Sequence, residues 1–158
     1  MNGVSHPILV LIADDDPEDR MLIEDAFEES RLVNTLEFVV DGEDLLDYLY
    51  RRNGYSDPST SRQPGLILLD LNMPRKDGRE ALKEIKSDPD LRQIPVVVMT
   101  TSSDEEDIAC TYDLGANAFV TKPVTFEGLV EVVKELGRFW LQLDMHAQPG
   151  RHVYHHVT

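Results

Sequence analysis

Five short apolar runs punctuate the chain, at residues 8–13, 36–40, 66–69, 95–99 and, more weakly, 118–120. Their length and Val/Ile content, without polar alternation, suit strands buried on both faces of a sheet. Between them apolar residues recur at helical spacing. Leu22, Ile23, Ala26 and Phe27 share one side of a first helix that Pro17 can open in its first turn. Leu45, Leu46 and Leu49 mark a second helix over 43–52. Ala81, Leu82 and Ile85 mark a third over 78–87, which stops near Pro89 because the residue before a proline disfavours α geometry. A fourth is expected over 104–114, with Ser102, Ser103 or Asp104 as N-cap and Gly115 as left-handed terminator; a fifth starts at Thr125 or Phe126. Five strands alternating with five helices predict an open parallel sheet covered on both faces by right-handed crossovers. Residues 50–65, rich in Gly, Pro and Ser, read as a long surface loop, and 146–158 as an irregular tail.

The last helix carries two apolar stripes. Phe126, Leu129, Val130, Val133, Gly137 and Trp140 make one, which suits packing on the sheet. Val132, Leu136, Phe139 and Leu143 make a second at 4, 3, 4 spacing, roughly 110° around at about 100° per residue. A sheet-facing helix needs only the first. The second has the spacing of a heptad seam, and an exposed apolar patch of that kind marks an interface; a homodimer through these four residues is expected, unless the loop or tail folds back over them.

Composition narrows the class. The 158 residues, 41% hydrophobic and 28% charged, suit one sizeable core, so a single domain over 1–145 is expected. Lys and Arg total 15 against 30 Asp and Glu, and the net charge of -15 repels phosphate backbones and anionic lipid headgroups. Neither nucleic acid nor a membrane is an expected partner. No apolar run approaches the roughly 18 residues of a bilayer span, the first residues lack a secretory pattern, and the single Cys110 can form no internal disulfide. These features point to the cytoplasm.

In an open parallel sheet, ligands bind beyond the carboxyl ends of the strands, near the point where strand order reverses. Here strand one runs into Asp14, Asp15 and Asp16, strand three into Asp70, strand four into Thr100, and strand five into Thr121, Lys122 and Pro123. Taken alone, the three acids before Pro17 suit a solvated helix start, where negative charge is welcome. Converging with Asp70, they would repel one another and raise each other's pKa unless a cation resolved them. Hard oxygen ligands with room for water suit Mg2+, and Lys122 could balance part of the charge. That constellation fits phosphoryl transfer, in which positioning and charge neutralisation do most of the catalysis.

These residues resemble the receiver domains of two-component response regulators over roughly residues 8–140, through "IADDDPEDR", "LILLDLNMPRKDG", "VVVMTT" and "FVTKP" in that order. The 30 residues from Asp70 to Thr100 and the 22 from there to Lys122 also match the chemotaxis-type receiver. The resemblance implies a flavodoxin-like (βα)5 doubly wound parallel sheet of strand order 2-1-3-4-5. It implies that Asp70 is the phosphoacceptor, that Asp15 and Asp70 bind Mg2+ (or Mn2+) directly, Asp14 through water and Asn72 through its backbone carbonyl. By the same resemblance Thr100 and Lys122 contact the phosphoryl group, the Lys122–Pro123 bond is cis, and Thr100 and Phe119 form the switch, Phe119 being equally readable as a fixed core ring. Asn72 and Ser102 occupy the positions that tune hydrolysis, and Asp16 has no assigned role.

The loop after residue 50, "DGEDLLDYLYRR" and "KPVTFEGLVEVVKELGRFW" resemble the stand-alone regulators of bacterial and cyanobacterial phytochromes, which dimerise through their carboxy-terminal part. The implied partner is a sensor histidine kinase, a phytochrome, docking on the first helix at Arg20, Met21, Ile23 and Glu24, with the loop bearing Arg51, Arg52 and Arg62 as a further contact. The implied function is signalling, not enzymatic turnover of a substrate. Rival readings are a receiver-like module that acts without phosphorylation and an aspartate-nucleophile phosphatase. The phosphatase wants a second acid two residues after the nucleophile, where this chain has Asn72. A calcium loop from Asp14 would want glycine where Asp19 stands, and no P-loop motif occurs.

Overall fold

The computed structural model describes residues 8–57, 62–73, 75–101 and 105–141. Five parallel strands, β1 (Val10–Ala13), β2 (Leu36–Val39), β3 (Leu66–Leu69), β4 (Val96–Thr100) and β5 (Ala118–Thr121), lie in the order β2-β1-β3-β4-β5. The helices are α1 (Pro17–Glu29), α2 (Gly42–Tyr50), α3 (Gly78–Ser87), α4 (Glu105–Asp113) and α5 (Phe126–Leu136), the last continuing into a π-helical turn, Gly137–Leu141. The fold is thus the expected flavodoxin-like one, with element ends shifted by a residue or two.

Each strand is apolar throughout because each has two buried faces. In β3, Leu66 and Leu68 enter one core layer with Ile23, Phe27 and Val133, while Ile67 and Leu69 enter the other with Leu45, Leu82 and Ile85. Full burial of each such side chain contributes about 1.5–3 kcal/mol. α1 and α5 therefore cover one face, and α2 and α3 the other, with Ile108 and Tyr112 of α4 packed at its margin.

Local chemistry starts the helices. The carboxylates of Asp16, Asp41 and Asp77 and the hydroxyl of Thr125 accept hydrogen bonds from backbone N–H groups in the first turns of α1, α2, α3 and α5. Gly115 follows α4 at φ +106, the left-handed geometry expected of a terminator. The proposed caps of α4, Ser102, Ser103 and Asp104, lie outside the described residues.

One expectation is overturned in α5. Val132 and Leu136, assigned to an exposed dimer seam, are each 1% exposed and belong to the core. The helix lies against α1 as well as the sheet, so residues of both stripes, Leu129, Val130, Val133 and Trp140 from one and Val132 and Leu136 from the other, are buried. Leu32, just beyond α1, packs so closely that a Cβ on Gly137 would sit 3.0 Å from its methyl groups. Phe139 is half-buried against the same core, and Leu143 lies outside the described residues. What α5 shows to solvent is Phe126 at its start, then Glu127, Glu131, Lys134 and, one turn on, Arg138. The physical ground for a homodimer through Val132 and Leu136 is removed.

Candidate phosphoacceptor site

Asp14 and Asp70 each stand one residue beyond a strand, and the ladder continues through them. The Asp14 N–H donates to the Val39 carbonyl at 3.1 Å and the Asp70 N–H to that of Ala13 at 3.0 Å. Ala13 and Leu69 are register partners, so the two acids that follow emerge side by side at the carboxyl edge of β1 and β3. On the other side, Thr100 and Thr121 are register partners, and the Lys122 N–H donates to the Thr100 carbonyl at 2.7 Å. Topology thus delivers Lys122 to the acids from two strands away.

The Lys122 ammonium reaches three carboxylates: Asp14 Oδ2 at 2.9 Å, Asp19 Oδ2 at 2.9 Å and Asp70 Oδ2 at 3.2 Å. Burial alone would lower the lysine pKa, but hydrogen bonds to Asp19 and Asp14 and the charge of Asp70 hold it above its ordinary value. Burial pushes the Asp14 carboxyl up, and the neighbouring Asp70 charge adds to this against the opposing Asp16 N–H and Lys122. Asp14, Asp15 and Asp70 each bring a carboxylate oxygen within 4.8 Å of the others. An all-carboxylate set with one exposed member suits a hard divalent cation that keeps some of its water.

Asn72 lies just past Asp70 and links two site residues. Its N–H donates to Asp70 Oδ1 at 3.1 Å, and its side-chain amide donates to Thr100 Oγ1 at 3.2 Å. These contacts come from its nitrogens, whereas the metal role implied by the resemblance falls on its carbonyl. Thr100 is fully buried at the end of β4. Phe119 is 3% exposed in the core layer with Val96 and Val98. Gly78 fixes the exit from β3: its N–H donates to the Leu71 carbonyl, and a Cβ there would lie 2.5 Å from the Asp70 carbonyl oxygen. Pro74 and Ser102 lie outside the described residues.

The Lys122–Pro123 peptide is trans, the ordinarily preferred isomer, and not cis as the resemblance implied. Asp16, given no role there, caps α1 and stays out of the acid cluster. Ile23, expected among partner contacts, is buried in the core, and its neighbour Leu22, 42% exposed, takes the outward position. Arg20 is turned inward, its guanidinium donating to the Asp14 carbonyl at 2.7 Å. Arg52 is engaged by Asp47 at 2.6 Å and lies 5.1 Å over the Tyr50 ring.

Asp19 was missed as a site residue. In the sequence it is one more acid in a helix's first turn, where the dipole accounts for it; only the tertiary fold, with α1 packed against α5, brings it to Lys122 beyond β5. Beside that pair a groove of about 140 Å³ opens between α1 and the start of α5, lined by Leu22, Pro123, Val124, Phe126, Asp19 and Lys122. Met21 and Val124, 63% and 85% exposed, add apolar surface around it.

Residues 10–134 match the family described as response regulator receiver domain. Response regulator Rcp1 of Synechocystis sp. is 39% identical over 136 residues, covering 86% of this chain and 90% of that protein. The phosphorylated cyanobacterial phytochrome response regulator RcpA superposes with a TM-score of 0.80 at 41% identity, covering 87% of this chain and 96% of that one. The Mn2+-bound form of Rcp1 gives 0.79 at 37%, covering 90% and 100%.

Proposed function

Because the chain belongs to the receiver-domain family of response regulators, we propose that it takes a phosphoryl group onto Asp70 from the phosphohistidine of a sensor histidine kinase and signals by protein contact. The observation that carries this is Asp70 at the mouth of β3, with Lys122 Nζ at 3.2 Å and the Asp14 and Asp15 carboxylates converging beside it. In the transfer an Asp70 carboxylate oxygen forms the new P–O bond while the P–N bond to the kinase imidazole breaks, leaving the electron pair on that nitrogen. Lys122 meets the phosphoryl charge and Thr100 supplies a hydroxyl donor. Asp14, Asp15 and Asp70 would hold Mg2+ or Mn2+, which neutralises phosphoryl oxygens when bound; the Mn2+-bound form of the relative Rcp1 supports the choice of ion.

The kinase is proposed to be a phytochrome, a reading supported by the phytochrome regulator RcpA. The groove beside Lys122 supports docking of an amphipathic helix there, since Leu22, Val124 and Phe126 are exposed around the reacting pocket. A cytoplasmic location is proposed, and the net charge of -15 supports contact with neither nucleic acid nor an anionic membrane surface; among the described residues no helix is long and apolar enough to cross a bilayer. The chemistry is its own phosphorylation and dephosphorylation and does not turn over a separate substrate.

Incubation with phosphoramidate and Mg2+ should add one phosphoryl mass to the native chain and none to Asp70→Asn. Equal gain by both, or no gain by either, would remove the reading. Transfer from a phytochrome kinase, compared in its two light states, tests the pairing.

A further inference from the structure

An ammonium has three donor hydrogens, and those of Lys122 have three carboxylate partners, Asp14, Asp19 and Asp70. The three acids differ in kind. Asp14 and Asp70 converge with Asp15 in the group able to hold a divalent cation, and Asp19 stands outside it. Asp19 also approaches from another element, the first turn of α1, and its side chain is 32% exposed against 3% for Asp14 and 11% for Asp70. A lysine held only by Asp14 and Asp70 would be a competing cation, seated on oxygens that the divalent ion and the incoming phosphorus both need. A third carboxylate set to one side draws the ammonium off them.

We propose that Asp19 is a positioning residue for Lys122, holding its ammonium beside the Asp14–Asp70 pair so that those oxygens stay available to a divalent cation and to the phosphoryl group. This rests on the phosphoacceptor reading of the same pocket. Asp19 touches neither the cation group nor Asp70 in any recorded contact, so it acts through the lysine. Its place in the wall of the groove on α1 also puts it between the docking surface and the reacting pocket.

Calorimetric titration of the full chain with Mg2+ tests this, using native protein, Asp19→Asn, Lys122→Ala and the double variant. Asp19→Asn should weaken Mg2+ binding about two- to fivefold, the span of an ion pair at a partly exposed site. In the Lys122→Ala background the same change should have no effect. An equal loss in both backgrounds would mean that Asp19 acts by its own charge on the ion, and would overturn the proposal, as would unchanged affinity. Asp19→Glu should recover most of the native affinity, which a purely structural role in the α1 turn would not require. With phosphoramidate, Asp19→Asn should raise the Mg2+ concentration for half-maximal rate without lowering the rate at saturation; a lowered saturating rate at unchanged half-maximal concentration speaks against it. If the native chain gains no phosphate, the phosphoacceptor reading fails, while the calorimetric cycle still decides the role of Asp19.

Discussion

The side-chain amide of Asn72 donates a hydrogen bond to the Thr100 hydroxyl at 3.2 Å, joining the loop after Asp70 to the end of β4. For Thr100 to turn to a phosphoryl group on Asp70, that bond must be given up. It therefore favours the unphosphorylated arrangement by about 1 kcal/mol, the net worth of one such hydrogen bond. Asn72→Ala should lower the phosphoramidate concentration for half-maximal phosphorylation by about fivefold, read by intact mass. An unchanged midpoint would show that the bond does not restrain Thr100.

Asp14 should make stability depend on pH in a direction opposite to that of most surface carboxylates. Burial raises its folded pKa above the ordinary 3.8, so folding binds its proton more tightly than the unfolded chain does. Its contribution is fully present below pH 3.8 and is lost as pH rises through the raised value. In metal-free buffer, Asp14→Asn should melt higher than the native chain at pH 7, with the gap closing as pH falls toward 4. A gap that widens in acid would reverse the assignment.

Leu136→Glu places a charge at a position 1% exposed, at a cost of about 3–5 kcal/mol. The expected result is loss of the folded state by circular dichroism. Glu131→Ala and Lys134→Ala, on the exposed face of the same helix, should change stability by less than about 0.5 kcal/mol. A folded Leu136→Glu chain with reduced hydrodynamic mass would instead restore the dimer seam.

Docking at the groove on α1, as proposed, would separate recognition from chemistry. Leu22→Asp should slow phosphoryl transfer from the kinase at least about tenfold, the effect of a charge in an apolar contact. Phosphorylation by phosphoramidate should stay within about twofold of native, since Leu22 is not among the residues that line the cavity around Asp14, Asp70 and Lys122. Equal slowing with both donors would place the effect in the pocket itself.

Much of this was legible in the chain. The apolar runs at 8–13 and 66–69 located β1 and β3, because strands buried on both faces show no alternation, and the residues after them, Asp14 and Asp70, had to emerge at one edge of a parallel sheet. Pro17 placed the start of α1, and the spacing of Ala81, Leu82 and Ile85 placed α3 over 78–87, where it stands. These are local facts, set by side-chain period, capping and backbone sterics.

Tertiary structure decided the rest, because it depends on what packs alongside. Val132 and Leu136 have the spacing of an interface, but α1 and Leu32 lie where a partner would be, and spacing alone does not say which neighbour fills a stripe. Asp19 has the sequence position of a residue that merely favours a helix dipole; its pairing with Lys122 spans 103 residues and exists only because α1 and β5 meet at the same edge. The sequence by itself determined the fold and the acids of the pocket, through periodicity and strand ends. Which carboxylates share the lysine, and which face of α5 meets water, were settled by long-range contacts that no local pattern encodes.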